Sequence, residues 1–195
     1  MKIKTSKFVK SLLTKLTPSS TPEIAMVGRS NVGKSSLINF LTNAKIAKTS
    51  SKPGKTRLIN YFDINNGQFY LVDLPGYGFA LTSKSESEQW GKMIEGYLAG
   101  NENLKNILFL LDIRHRPSAD DRKMLSYMVF YNIPFTVVAT KCDKLSRSQV
   151  NLNKQMLASE LKIGKDNIYC VSSDKRTGDV ELLARISQFV EGGED

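Results

Sequence analysis

Eight consecutive residues, Gly28-Arg29-Ser30-Asn31-Val32-Gly33-Lys34-Ser35, have the types and the spacing to hold a chain of phosphates. Such a chain needs close backbone approach, convergent N–H donors and positive charge. The two glycines, the N-terminus of the helix expected after Gly33 and the Lys34 ammonium supply them. Ser35 offers a hydroxyl to a Mg²⁺ ion bridging the outer phosphates, and Ser36 completes the contacting run. A second string, Asp73-Leu74-Pro75-Gly76, ends a strand-like segment. Its carboxylate can reach Mg²⁺ through water, and the Gly76 N–H can reach the terminal phosphate. A third, Thr140-Lys141-Cys142-Asp143, carries a carboxylate just past another strand end. Guanine presents an N1–H and a 2-amino group side by side, which one carboxylate accepts together, whereas adenine asks for little more than shape. Asp143 therefore favours guanine, with the Lys141 stem laid over the ring. Val171, Ser172 and Ser173 lie at the neighbouring strand end, where the Ser173 N–H meets the guanine O6.

These residues need strands to deliver them and helices to brace them. Apolar residues 24–27 form a strand, and Leu37, Ile38 and Leu41 give the following helix, 34–42, its buried stripe. Residues 43–57 are polar and basic with no apolar period, and a loop of that length is functional or disordered. Strands at 58–64 and 69–72 flank Asn65-Asn66-Gly67-Gln68, whose Asn-Gly suits a tight hairpin. Helices follow over 86–98, 119–131, 148–161 and 178–190, alternating with strands over 107–112, 135–139 and 167–171. Ser118 and Asp121 suit a helix cap, and Trp90 is assigned to the core. The alternation predicts an α/β fold, a doubly wound, mostly parallel six-stranded sheet with one antiparallel strand and helices on both faces. In residues 1–21, Phe8, Val9, Leu12, Leu13 and Leu16 suit either an amphipathic helix or an edge strand. Residues 22–191 are expected to form a single domain, and 192–195 an acidic tail.

The 195 residues carry a net charge of +9, unevenly distributed: 1–57 hold +11 and 58–195 hold −2. A basic excess on both sides of a phosphate loop points to a polyanionic partner. The apolar runs are too short to span a bilayer and no signal sequence is evident, so a cytoplasmic protein is expected. Cys142 and Cys170 belong to no metal-ligand spacing and are expected as free thiols. With His115 as the single histidine, a His-based zinc site or Ser-His-Asp triad has no material to draw on. A metabolic kinase would need an arginine-rich lid and a second-substrate site, and neither is visible.

In this order the strings resemble the translation-factor class of P-loop GTPases. More narrowly, residues 22–190 resemble the EngB (YihA/YsxC) family of bacterial ribosome-assembly GTPases. That resemblance rests on the Gly28–Ser35 loop, Ser50-Ser51-Lys52-Pro53-Gly54-Lys55-Thr56, Asp73-Leu74-Pro75-Gly76-Tyr77-Gly78, Asp112-Ile113-Arg114-His115 and Thr140–Asp143. It implies GTP and GDP as bound nucleotides, and Mg²⁺ held by Ser35, Thr56 and Asp73. Lys34, Thr56, Gly76 and Asn31 would act in hydrolysis, with Gly54, Lys55 and Thr56 forming the first switch. The implied partner is the large ribosomal subunit or its precursor, met through rRNA and ribosomal proteins by a monomer without membrane insertion. Thr140 stands where asparagine is commonest in wider GTPases, which predicts a weaker tie between base loop and phosphate loop. Tyr77 occupies the place of the glutamine that orients water in Ras-like enzymes, which predicts slow turnover accelerated by a partner. Asn31 either binds K⁺ or simply holds its turn. Arg114, His115 and Arg116 are RNA contacts or a salt-bridged corner. The competing function is a regulatory GTP-binding module acting on a protein or membrane surface in cell division and septation.

Overall fold

The computed structural model describes residues 1–16, 19–48, 58–78 and 84–192. Seven strands, β1 (Ser6–Leu12), β2 (Glu23–Gly28), β3 (Ile59–Ile64), β4 (Phe69–Asp73), β5 (Leu104–Asp112), β6 (Phe135–Thr140) and β7 (Ile168–Cys170), form one sheet in the order β1-β3-β4-β2-β5-β6-β7. β3 runs against both of its neighbours, while the β4–β2, β2–β5, β5–β6 and β6–β7 pairs are parallel. The helices are α1 (Lys34–Thr42), α2 (Lys84–Leu98), α3 (Ala119–Phe130), α4 (Arg147–Leu161) and α5 (Asp179–Val190).

β2 is buried along its whole length because it is central in the sheet and covered on both faces. Its Ala25 and Val27 pack with Ile94 and Tyr97 of α2, Met124 and Met128 of α3 and Leu157 of α4. Ile24 and Met26 face the other way, onto Leu37 and Ile38 of α1 and Leu182 and Ile186 of α5. The sheet is therefore doubly wound, and the C-terminal ends of β2, β4, β5, β6 and β7 converge on one edge, where ligands of such sheets bind.

The sheet has seven strands rather than the six expected, because the N-terminal segment is an edge strand and not a helix. Its apolar residues fit both periods, and the demand that decides between them comes from β3, whose outer backbone groups need partners. β1 supplies them with a register shift between Phe8 and Lys10, and Phe8 meets Phe62 edge-to-face at 5.7 Å. The β3–β4 hairpin holds the strand's start. Asn65, Asn66 and Gly67 all have positive φ, and Asn65 Oδ1 accepts the Lys4 N–H at 2.7 Å.

Candidate functional site

The phosphate loop leaves the sheet at a point that excludes side chains. A Cβ on Gly28 would lie 2.7 Å from the Leu110 carbonyl oxygen of β5. The chain then turns through Asn31 (φ 63°) and Gly33 (φ 113°), and the Val32 N–H donates to Arg29 O at 3.2 Å. Gly33 is the N-cap of α1, so the free N–H groups of that helix point into the loop.

Lys34 reaches back across the loop, its Nζ donating to Gly28 O at 3.3 Å. Gly76 presses on the same spot, since a Cβ there would sit 2.9 Å from Lys34 Nζ and 3.1 Å from Ser30 N. Two backbone bonds hold that approach, Leu74 N–H to Met26 O at 3.0 Å and Ser30 N–H to Tyr77 O at 2.9 Å. Asp73, 3% exposed, ends β4 beside them, and its Oδ1 has no hydrogen-bond partner. Its other support is an Asn60 side chain on β3, whose Oδ1 in turn accepts the Ser11 hydroxyl of β1 at 2.6 Å. Burial pushes the Asp73 carboxyl above the ordinary carboxylate range, and Lys34 and Asn60 oppose that shift. Burial likewise pushes the Lys34 ammonium down, opposed by Asp73. An unpartnered buried carboxylate oxygen at a strand end, in the field of Lys34, suits a hard, oxygen-seeking cation such as Mg²⁺.

A pH dependence follows from that shift. Because the Asp73 carboxyl is raised, protons compete with a cation at higher pH than they would at an ordinary carboxylate. Mg²⁺-dependent nucleotide affinity should therefore fall as pH drops through the raised value, and Asp73→Asn should flatten the profile while costing about 10–100-fold in Mg²⁺ affinity. In the ligand-free fold the linkage has the opposite sense: the shift contributes stability fully below 3.8 and loses it as pH rises through the folded-state value. Fluorescent-nucleotide titrations with and without Mg²⁺ across pH would check this, and identical profiles for both proteins would refute it.

The base-side strings meet the same loop from the other flank. The Thr140 hydroxyl donates to Val32 O at 2.8 Å, with Leu111 O at 3.2 Å. A tie between base loop and phosphate loop is present, because the hydroxyl hydrogen spans the gap between strand end and loop. Thr140→Val keeps the shape but leaves the Val32 carbonyl unpaired in a buried place. It should lower stability by about 1–3 kcal/mol and speed nucleotide dissociation. Urea unfolding and stopped-flow release measure both, and an unchanged midpoint would contradict the tie.

Lys141, in the left-handed region at φ 62°, donates its ammonium to Asn31 O at 2.9 Å and pairs with Asp112 at 3.0 Å. Asp143 accepts the Ser172 hydroxyl at 2.6 Å and pairs with Lys144 at 2.9 Å. Those contacts, Ser172 first, hold its carboxyl below the usual range. Val171 N–H donates to Ala139 O at 2.8 Å, and Ser172 exchanges two 3.0 Å backbone bonds with Thr177. Ser36 and Ser173 line one cavity with Asn39, Phe40 and Arg176.

The structure thus brings Gly28–Ser36, Asp73 and Gly76 together on one flank and Thr140, Lys141, Asp143, Val171, Ser172 and Ser173 on the other. Gly54, Lys55 and Thr56 lie outside the described residues. The Tyr77 side chain is buried. Its hydroxyl donates to Asp121 Oδ1 at 2.7 Å in the interior, and its ring meets Trp90 edge-to-face at 5.6 Å. Trp90 is core, as expected, and donates to Pro75 O at 2.9 Å. The expected capping box of Ser118 and Asp121 is present. The free oxygen of Asp121 was the overlooked partner for a tyrosine. Asn60 was also missed, since an asparagine within a strand signals little until the register sets it opposite Asp73. Arg114 chelates Asp112 at 2.9 and 2.7 Å and Arg116 pairs with Glu160 at 2.6 Å, so this corner is salt-bridged.

A glycine loop capping a helix after the central strand, with an aspartate on each flank, defines the class of P-loop nucleotide-binding proteins. The sequence profile of the 50S ribosome-binding GTPase family matches residues 23–141. The probable GTP-binding protein EngB of Desulforamulus reducens is 46% identical, covering 97% of this chain and 95% of its own. That of Clostridium kluyveri is 48% identical, covering 98% of each. The crystal structure of a probable GTP-binding protein engB superposes with a TM-score of 0.72 over 87% of this chain and 99% of that one, a likeness of fold at 23% identity. Era in complex with MgGDPNP and nucleotides 1506-1542 of 16S ribosomal RNA gives 0.65 at 26% identity, over 86% of this chain and 56% of that one. The chain belongs to the EngB family of GTP-binding proteins and is a GTPase. Among the described residues, no helix is long and apolar enough to cross a membrane.

Proposed function

We propose that this GTPase is a conformational switch in large-subunit ribosome assembly, working as a cytoplasmic monomer whose nucleotide domain spans residues 22–191. The observation that carries the nucleotide chemistry is the orphaned Asp73 oxygen beside Lys34 and the crowded Gly76. Residues Gly28–Ser36 hold the phosphates through backbone N–H groups, and Lys34 places its charge on the outer ones. Ser35, Thr56 and Asp73 would hold Mg²⁺, which neutralises charge on the phosphates when bound. The Gly76 N–H senses the terminal phosphate, and Asp143 with Lys141 and Ser173 selects guanine. Tyr77 is committed to Asp121 and orients no water, so intrinsic hydrolysis is slow and a partner accelerates it by acting on the switch segments.

The partner reading is supported by the +11 charge of residues 1–57, by the family's description as ribosome-binding and by rRNA in the Era complex. Co-sedimentation with isolated ribosomal subunits and their precursors, with a GTP analogue, GDP or no nucleotide at two salt concentrations, tests it. Selective, GTP-dependent retention on the large subunit is expected, falling with salt by about one log unit per log unit of salt for each neutralised phosphate. Retention on anionic vesicles with none on subunits would replace it with a membrane-surface role. K⁺ and Na⁺ buffers compared with and without the particle test Asn31, and equal rates would leave it a turn residue.

A further inference from the structure

Two thiols lie on one face of the sheet at its β7 edge. Cys142 opens the short turn after β6, and Cys170 ends β7 as the register partner of Ala139. The Cys142 N–H donates to Val171 O at 3.3 Å, and its Sγ lies 3.2 Å from Ala139 O, the carbonyl that also accepts the Val171 N–H. These bonds fold the turn back over the end of β7, setting Cys142 beside the backbone that follows Cys170. Both cysteines are half-buried and pack against the same core. Lys141 and Asp143 flank one of them; Val171 and Ser172 follow the other.

We propose that Cys142 and Cys170 are an oxidation site, joined by hydroperoxides into a disulfide that distorts the Lys141–Asp143 edge and releases the guanine nucleotide. The effect on nucleotide rests on Asp143 being the guanine acceptor. Cys170 is the attacking sulfur: the hydrogen bond from Cys142, and after it Lys154, draws its thiol down, while Cys142 is held protonated. The Cys170 thiolate attacks one peroxide oxygen and the O–O bond breaks. This gives a sulfenic acid and a hydroxide or alkoxide that takes up a proton. The Cys142 sulfur then displaces the sulfenic oxygen, which leaves as water with the thiol's proton. Two thiols are oxidised to one disulfide and one hydroperoxide is reduced. A disulfide draws the two sulfurs to about 2 Å, closer than any hydrogen bond. The turn must therefore shift, breaking the Cys142–Ala139 contact and moving Asp143 one residue away.

The full-length reduced protein, exposed to hydrogen peroxide, is the test. Intact mass should fall by two hydrogens with both cysteines protected from alkylation, and neither change should occur in Cys142→Ser or Cys170→Ser. GDP affinity, titrated by fluorescence, should drop about tenfold or more and return with a thiol reductant, while both serine variants keep their affinity in peroxide. Absence of the disulfide, or a disulfide-bearing protein that binds GDP as the reduced one does, overturns the proposal. Guanine against adenine preference of the reduced wild type, measured in the same titrations, reports on the base site separately.

Discussion

Lys34→Ala is expected to lower kcat/KM for GTP by about 10²–10³-fold, because it removes the side-chain cation that stabilises charge developing on the outer phosphates. The ammonium is anchored on Gly28 O at 3.3 Å and cannot be replaced from nearby, since Gly76 fills the space beside it. Its loss has a second effect. Lys34 opposes the desolvation of Asp73, so without it the Asp73 carboxyl climbs further above the ordinary range. Protons then compete more strongly for the carboxylate that would hold Mg²⁺, and the variant's residual affinity should be more acid-sensitive than the wild type's. Single-turnover hydrolysis with Mg²⁺ varied at two pH values separates the two effects. A variant that hydrolyses GTP at the wild-type rate would remove Lys34 from the site.

Asp143→Asn is expected to exchange one base for another. An amide offers a single acceptor to the N1–H and 2-amino donors of guanine, and its NH₂ opposes one of them, so GTP affinity should fall about 10²–10³-fold. Xanthine carries an oxygen where guanine carries the amino group, and that oxygen accepts from the new amide, so XTP should bind the variant better than GTP does. In the described state Asp143 is occupied by Ser172 and Lys144. Lys144 is half-exposed, and such a pair is worth only about 0–1 kcal/mol, so it yields readily to a base. Competition titrations with GTP, XTP and ATP read the preference. Unaltered GTP preference in the variant would place guanine recognition elsewhere.

Much of this site was legible in the chain because its parts are local strings. Gly28–Ser35 needs only a strand before it and a helix after it, Asp73 closes a strand, and Asp143 lies just past the end of another. Periodicity located α1 over its observed span, and the Asn-Gly hairpin and the Ser118 cap also stood as expected. What remained hidden depends on which strands become neighbours. Asn60 acquires a role only from its register with Asp73, and Ser11 only from its bond to Asn60. The strand form of residues 6–12 likewise depends on β3 having an open edge. The partner of Thr140 was hidden for the same reason: the separation to be spanned was invisible until Val32 O stood 2.8 Å from the hydroxyl.

The position of β1 also bears on how the chain is made. It precedes every other described strand in the sequence and forms one edge of the sheet, and its partner β3 begins at Ile59. The central strand β2 in turn waits for β5, which ends at Asp112, before both of its edges are closed. During synthesis, Phe8 and Val9 therefore leave the ribosome on a strand with no edge to join, a hazard for pairing with another nascent chain. Lys7, Lys10 and Lys15 punctuate this apolar stretch, and their mutual repulsion keeps such strands apart until β3 arrives. The N-terminal lysines thus act as gatekeepers of folding before the protein meets any polyanion.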